Sequence, residues 1–272
     1  MKLSKTAIMI MASCLAITGT MSSCSSSVSE NMNNIDLKER EQFKNLIDVT
    51  GVPLDAKPGD SYEITPFSDL GAWHGYSLPG LKDKEYYGGF TGPLYIAEEY
   101  GIWLSKSFNK IKICNGKTGE EIKLSDCSDP KMIYYPGMLF QEYNLNGFTL
   151  DLSLIFGTNR TAIVTTKIKN NTNKELNLKV SWGGEILRCY NDKEREDIKY
   201  ELTALKDGVK VKVPDTNWTW DAFTNNDMEY EVRYPNKVIT TVNEGKYEIN
   251  LPKNIKIKPK DEYVIKDRKS VV

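Results

Sequence analysis

Alternation of apolar and polar positions dominates the chain from Leu94 onward. In the segment FTLDLSLIF, every second side chain from Phe148 to Phe156 is apolar, and three of the four positions between them are polar. A period of two is typical of a β-strand that buries one side. The same alternation recurs in four further segments, at residues 162–168, 176–182, 209–213 and 247–251.

Turn-forming residue pairs separate these alternating segments. They are Asn146-Gly147, Asn170-Asn171, Asp207-Gly208 and Glu244-Gly245. Short strands joined by such turns usually pair with their neighbours in antiparallel fashion. At least nine strands of this kind can bury their apolar sides only if they form two large sheets packed together. The sequence therefore predicts an all-β fold, a large antiparallel two-sheet sandwich.

The N-terminal third of the chain has a different pattern. Residues 36–48 carry apolar side chains at helical spacing behind an acid-rich first turn, which predicts one short amphipathic helix. Residues 49–93 show no periodicity and are rich in glycine and proline. A stretch of this length without regular structure is more often functional than idle. We predict a long irregular loop there.

The first 24 residues have the layout of a bacterial lipoprotein signal peptide. Lys2 and Lys5 precede an apolar run of residues 7–17, and the segment ends at Met21-Ser22-Ser23-Cys24. The run is too short to cross a bilayer, which needs roughly 20 apolar residues. We expect cleavage before Cys24, lipid attachment to Cys24, a polar tether over residues 25–35 and one domain over residues 36–272. An ordinary secretory signal with a chance cysteine is the alternative.

Charge and cysteine content narrow the function classes. Loss of the signal peptide lowers the basic residues from 36 to 34 against 37 acidic residues, a net charge of −3 that gives no reason to expect nucleic acid. Cys114, Cys127 and Cys189 then remain beside Cys24, and three thiols allow at most one disulfide. Cys114 with Cys127 is the candidate pair because both flank one predicted hairpin, and three buried thiols are the alternative. The sequence has no Cys/His cluster and no phosphate-binding loop, so we expect neither a metal nor another cofactor.

Few residues are candidates for chemistry. His74 is the only histidine, so any triad mechanism would require it, and a structural or ligand-contacting role is favoured. Asp69 could be a general acid, but a glycosidase needs two carboxylates and no partner is evident. Asp69 could equally accept backbone N–H bonds in a turn. Trp218 and Trp220 would share one face of a strand, either as a stacking platform for a sugar ring or as core aromatics.

A series of ordered motifs resembles one enzyme family. Residues 69–75 (DLGAWHG), 78–79 (LP) and 88–93 (GGFTGP) are similar to the start of the bacterial branch of glycoside hydrolase family 63. Further matching segments follow the same order, and the resemblance covers about residues 40–255. They are residues 43–47 (FKNLI), 50–53 (TGVP), 98–100 (EEY) with Asn109, 158–161 (TNRT), 182–185 (WGGE) and 219–221 (TWD).

The resemblance implies a fold and a division of labour. Members of that family have an N-terminal β-sandwich followed by a larger (α/α)₆ barrel, and the barrel holds both catalytic carboxylates of an inverting α-glucosidase. Because the sequence ends at Val272, we expect the barrel to be missing, no catalytic residue to be present and the chain alone to be inactive. Expected partners are that barrel, an oligosaccharide or glycan, and the membrane of the cell envelope through the lipid on Cys24, on the periplasmic or outer-membrane side.

The sandwich of such an enzyme would lend loops to the mouth of the active-site cleft. We assign this role to residues 66–93, with Asp69, Trp73, His74, Tyr76 and Phe90 as its contributors and with exposed aromatics at the interface. Two other functions stay open. One is a free-standing carbohydrate-binding lipoprotein, and the other is a structural or assembly lipoprotein without sugar contact.

Overall fold

The computed structural model describes residues 38–53, 64–97, 100–187, 189–190, 197–198, 200–212 and 229–271 of the 272. The signal peptide, Cys24, the tether, Trp218 and Trp220 lie outside the described residues. The chain divides into two compact units, Met1–Gln42 and Phe43–Val272. Each unit is described by itself.

The described part of the first unit contains one short helix, α1 (Lys38–Glu41). The predicted helix over residues 36–48 is therefore wrong beyond Glu41. In the second unit Asn45 has a left-handed backbone (φ 52°), and its N–H donates to the carbonyl of Tyr134 at 2.8 Å. The Asn45 Oδ1 in turn accepts the N–H of Tyr134 at 2.8 Å. These tertiary bonds take the backbone groups that a longer helix would use.

Eighteen strands and two 3₁₀ helices (Lys84–Tyr86 and Leu124–Asp126) make up the described part of the second unit. The strands are β1 (His74–Ser77), β2 (Thr91–Ala97), β3 (Tyr100–Trp103), β4 (Lys110–Asn115), β5 (Lys131–Tyr135), β6 (Met138–Leu145), β7 (Phe148–Thr158), β8 (Thr161–Asn170), β9 (Leu176–Glu185), β10 (Cys189–Tyr190), β11 (Asp197–Ile198), β12 (Glu201–Leu205), β13 (Gly208–Lys212), β14 (Glu229–Arg233), β15 (Ile239–Asn243), β16 (Lys246–Asn250), β17 (Ile255–Ile257) and β18 (Glu262–Val271).

The strands form two large antiparallel sheets and two small ones. One large sheet has eight strands in the order β12-β13-β14-β18-β8-β7-β6-β5. The other has five: β9 pairs with β4 on one edge and with β16 and then β17 on the opposite edge, and β15 pairs with β16. The small sheets are β1-β2-β3 and β10-β11. The predicted all-β antiparallel sandwich is confirmed.

One hydrophobic core contains side chains from both large sheets. On β7 the buried side chains are Phe148, Leu150, Leu152, Leu154 and Phe156, the alternating apolar set of the sequence. Val180 and Trp182 of β9 and Ile249 of β16 belong to the same core. Full burial of one such side chain stabilises the fold by about 1.5–3 kcal/mol. No helix in the described ranges has the length and apolar character that crossing a bilayer requires.

The predicted irregular loop over residues 49–93 is wrong in part, because it contains β1 and the start of β2. β1 pairs with β2 through His74 opposite Tyr95 and Gly75 opposite Leu94. All four residues of β1 are buried. A strand covered on both faces has no polar side, so it shows no alternation in the sequence.

The predicted disulfide is also wrong. Cys114 and Cys127 are free thiols, Cys114 half-buried on β4 and Cys127 buried. The Sγ of Cys127 donates to the carbonyl of Asn144 at 3.5 Å. The side chain of Cys189 is not described.

Candidate functional site

Residues 68–73 form a tight surface turn, here called the Trp73 turn. Asp69 Oδ1 accepts the N–H of Leu70 at 2.7 Å, and the Asp69 carbonyl accepts the N–H of Ala72 at 3.0 Å. The Ser68 hydroxyl donates to the Ala72 carbonyl at 3.1 Å. Asp69 is therefore the turn residue that one interpretation of the sequence expected, because its carboxylate holds local backbone.

The Trp73 turn presents two apolar side chains to solvent. Leu70 is 56% exposed and Trp73 is 45% exposed. Leu70 (φ 55°) and Gly71 (φ 66°) both have left-handed backbone, which places them at the tip of the turn. The N–H of Trp73 donates to the carbonyl of Asn159, between β7 and β8, at 3.3 Å. The turn is thus fastened at its base while its apolar side chains remain accessible.

Three other residues that the sequence assigned to an exposed loop lie in the core. His74, Tyr76 and Phe90 are all at most 3% exposed. His74 Nδ1 is 2.9 Å from the hydroxyl of Tyr76, and that hydroxyl is 2.8 Å from the hydroxyl of Tyr230. The expectation of exposed aromatics is wrong for these three, because β1 is covered on both faces and Phe90 packs in the core. The structural alternative for His74, with one ring nitrogen hydrogen-bonded, agrees with the contact to Tyr76.

A buried polar network lies beside these hydroxyls, and we call it the Asp267 network. Lys269 Nζ donates to Asp267 Oδ2, and both side chains are at most 2% exposed. Asn109 Nδ2 donates to Asp267 Oδ2 at 3.2 Å and lies 3.0 Å from the Tyr234 hydroxyl. The Tyr247 hydroxyl donates to Asn109 Oδ1 at 3.3 Å. The network therefore joins β18 to β16 and to residues next to β4 and β14.

Burial controls the protonation of this region. Burial raises the pKa of Asp267, and the Lys269 ammonium opposes that rise only in part. Burial lowers the pKa of His74 to about 4, the carbonyl of Arg160 opposes the shift, and Lys269 adds to it. Burial, with Asp267 adding to it, raises the pKa of Tyr234. At neutral pH the histidine and the tyrosine are therefore neutral, and both lie enclosed in the core.

The Asp267 network was not predicted, although the sequence contains one signal for it. Along β18 the inward-facing positions after Ile265 are Asp267 and Lys269. Two opposite charges at buried positions of an alternating strand indicate a buried ion pair, because an unpaired charge there would be very costly. The remaining members come from distant parts of the chain, and no sequence pattern connects them.

A cleft of about 620 Å³ opens at the ends of β4, β9 and β16, and we call it the Lys110 cleft. The strands are in register there, with Lys110 opposite Gly183 and Lys246 opposite Glu185. Its polar wall contains Ser105, Lys106, Ser107, Lys110, Glu185 and Lys246.

Two motifs of the sequence meet at the Lys110 cleft. The WGGE motif supplies Gly183, Gly184 and Glu185 to its lining. In the GGFTGP motif, a Cβ on Gly89 would overlap the Ser107 hydroxyl and would lie 3.1 Å from the Lys110 Cβ. Both motifs are therefore parts of one structural region. Among the described residues, no group of three or more His, Cys, Asp or Glu side chains could hold a metal ion.

Comparison with known proteins gives a family and several structural neighbours. The family model described as "Glucosidase YgjK, N-terminal" matches residues 48–264. A putative kojibiose phosphorylase from the human microbiome aligns with a TM-score of 0.48 and 13% identity, over 74% of this chain and 29% of that one. The polysaccharide lyase BACCELL_00875 aligns with a TM-score of 0.46 and 9% identity, over 68% of this chain and 30% of that one.

A third neighbour aligns over nearly its whole length. The Slr1438 protein from Synechocystis sp. PCC 6803 aligns with a TM-score of 0.44 and 10% identity, over 78% of this chain and 99% of that one. The chain spans less than a third of the phosphorylase and of the lyase.

Proposed function

The chain belongs to the family of N-terminal domains of glucosidase YgjK, and we propose that it is the non-catalytic sandwich domain of a glycoside hydrolase that acts on oligosaccharides or glycans. The observation that carries this proposal is the extent of the family match. Residues 48–264 include strands of both large sheets and the whole of the Trp73 turn. The proposal therefore applies to the sandwich as a unit.

We assign hydrolysis to a separate catalytic barrel that pairs with the sandwich. An inverting glycosidase needs two carboxylates about 6.5–9.5 Å apart on either side of the scissile bond. In the part of the chain that the structure describes, Asp267 is enclosed in the core and paired with Lys269. Among the described residues that line the Lys110 cleft, Glu185 is the only carboxylate. Neither place offers the required pair.

The Trp73 turn is the proposed contribution of the sandwich to the interface with that barrel, at the mouth of its cleft. Tryptophan is enriched at the energetic centres of protein interfaces. A side chain on a turn that is already held by hydrogen bonds loses less entropy when it binds. Trp73 fits both conditions, since it is exposed and its turn is held by a hydrogen bond to Asn159. The exposed Leu70 adds apolar area on the same turn.

The sequence of residues 1–24 supports a location in the cell envelope for this domain. Their basic, apolar and Cys24 segments favour export and lipid attachment. The proposal therefore places the domain in the cell envelope, anchored through Cys24.

The test combines the chain with the catalytic domain of a YgjK-type glucosidase and measures association and glucoside hydrolysis. Trp73→Ala should weaken association or raise KM by about tenfold or more, because it removes an apolar anchor of roughly 1.4 kcal/mol or more. The matched control is Ile239→Ala, which shortens a side chain that is 54% exposed on β15. The control should change neither quantity by more than about twofold.

Because Trp73 is half-exposed, the thermal midpoint of the Trp73→Ala chain should stay close to that of the unchanged chain. If Trp73→Ala leaves association, KM and kcat unchanged while the chain remains folded, the proposed interface is wrong.

A further inference from the structure

We propose that the Lys110 cleft binds an acidic saccharide of one or two sugar units. The cleft shares no residue with the Trp73 turn. This inference goes beyond a non-catalytic docking role and does not depend on it. It assigns to the sandwich a ligand of its own.

The walls of the cleft are fastened to one another. The N–H of Leu187 donates to the carbonyl of Leu104 at 3.0 Å, and the Ser105 hydroxyl donates to the carbonyl of Glu185 at 2.6 Å. The N–H of Ile186 donates to the carbonyl of Gly245 at 2.8 Å. These bonds join the β3–β4 connection, the end of β9 and the β15–β16 turn. The cleft is therefore largely formed before a ligand arrives, which reduces the entropic cost of binding.

The charge of the lining favours an anion. Among the described lining residues, the charged ones are Lys106, Lys110, Lys246 and Glu185. Lys106 already interacts with another residue, so Lys110 and Lys246 are the cations that we assign to the ligand. Lys110 Nζ donates to the backbone carbonyl of Glu85 at 2.5 Å, and a neutral carbonyl leaves the charge of the ammonium in place. With Lys106 set aside, the described lining still carries one more positive than negative charge, from Lys110 and Lys246 against Glu185. Such a concave surface raises the local concentration of anions.

The ion pair between Lys246 and Glu185 can open for a ligand. Its N–O distance is 3.2 Å, and both side chains are 65% exposed. Exposed pairs of this kind contribute little stability, because water screens them. A ligand carboxylate or sulfate can therefore replace Glu185 as the partner of Lys246 at small cost.

The size and the remaining groups of the cleft favour a sugar over a bare inorganic anion. A volume of about 620 Å³ lies within the usual range of small-molecule sites, roughly 300–1,000 Å³. Gly184 packs closely on the ring of Tyr247 in one wall, since a Cβ there would lie 2.7 Å from that ring. Ser107 and Tyr86 also line the cleft. A hydroxyl and an aromatic ring provide the hydrogen bonds and the apolar surface that a pyranose uses.

Isothermal titration of the full chain tests the inference with three probes. They are a disaccharide that contains one glucuronate, the neutral disaccharide maltose, and sodium sulfate. The glucuronate disaccharide should bind at least about tenfold more tightly than maltose or sulfate, and its affinity should fall as salt rises. Lys110→Gln and Lys246→Gln should each weaken binding by about threefold to tenfold, and Lys246→Glu should weaken it further.

The matched control is Lys256→Gln, on the outer side of β17. Lys256 is exposed, and its register partner Asn177 is six residues along β9 from Gly183, about 20 Å at the rise of a strand. This variant should bind the glucuronate disaccharide like the unchanged chain.

Three results would overturn the inference. Equal affinity for maltose and the glucuronate disaccharide, or no binding of either, would show that the cleft does not select an acidic ligand. If sulfate binds as tightly as the acidic disaccharide, the cleft does not recognise the sugar. If the Lys110 and Lys246 variants bind the disaccharide with unchanged affinity, the ligand does not bind in the Lys110 cleft. The titration uses no catalytic domain, so its failure leaves the docking proposal unaffected.

Discussion

Lys269→Met is the sharpest test of how the core of this sandwich is held together. The substitution keeps a long apolar side chain and removes the ammonium that pairs with Asp267. Both side chains of the pair are at most 2% exposed, so water cannot compensate the carboxylate that remains. Breaking a buried pair from one side costs about 3–5 kcal/mol. That loss is a large part of the 5–15 kcal/mol that stabilises an ordinary domain.

Equilibrium urea unfolding of the chain at pH 7, followed by tryptophan fluorescence, measures the loss. The matched control is Lys112→Met, which breaks the pair of Lys112 with Glu121 on the surface. That pair has an N–O distance of 3.2 Å, and its side chains are 53% and 48% exposed. The control should cost less than about 1 kcal/mol.

The stability that Lys269→Met loses should depend on pH in a definite direction. Burial already raises the pKa of Asp267 in the folded protein, and loss of Lys269 raises that pKa further. A folded pKa above the unfolded value means that stability is retained at low pH and is lost as pH rises through the folded pKa. The penalty of Lys269→Met should therefore shrink as pH falls from 7 toward 4. Adding Asp267→Asn should recover much of the loss at pH 7.

Three outcomes would refute this account of the core. They are a cost below about 1 kcal/mol for Lys269→Met at pH 7, a penalty that does not change with pH, and a double variant as unstable as the single one.

Two further substitutions test other parts of the fold. The folded-state pKa of His74 is about 4 against 6.5 for a free histidine, so the unfolded chain takes up a proton that the folded chain does not. Stability should fall by about 3 kcal/mol as pH drops from 6.5 to 4, and urea unfolding of His74→Asn should lack that decrease. A Cβ on Gly208 would overlap the carbonyl oxygen of Val232 on the neighbouring strand. Thermal unfolding of Gly208→Ala should show a loss of about 3 kcal/mol, whereas Gly157→Ala, which meets only the side chain of Ile163 within 3.7 Å, should cost about 1 kcal/mol or less.

The candidate site could be predicted only in part. The motif around residues 69–75 identified the Trp73 turn and the family, since local turn chemistry and motif order are properties of the sequence. The surface role assigned to residues 66–93 included His74 and Tyr76, and the structure buries both. Exposure depends on what packs over β1, and the strands that cover it are distant in sequence. Asp267 and Lys269 share a local pattern on β18, but no local pattern joined them to the rest of their network or joined the walls of the Lys110 cleft.

Local alternation was sufficient to identify the long strands and the all-β class, because the side to which a strand residue points depends only on its position in the pleat. The partners of each strand are a tertiary property. The last strand, β18, lies between β14 and β8 inside the eight-stranded sheet. That position brings Asp267 and Lys269 to Asn109 and Tyr234. Burying two charges is tolerable only where such partners converge, and their convergence is decided by long-range packing rather than by neighbouring residues.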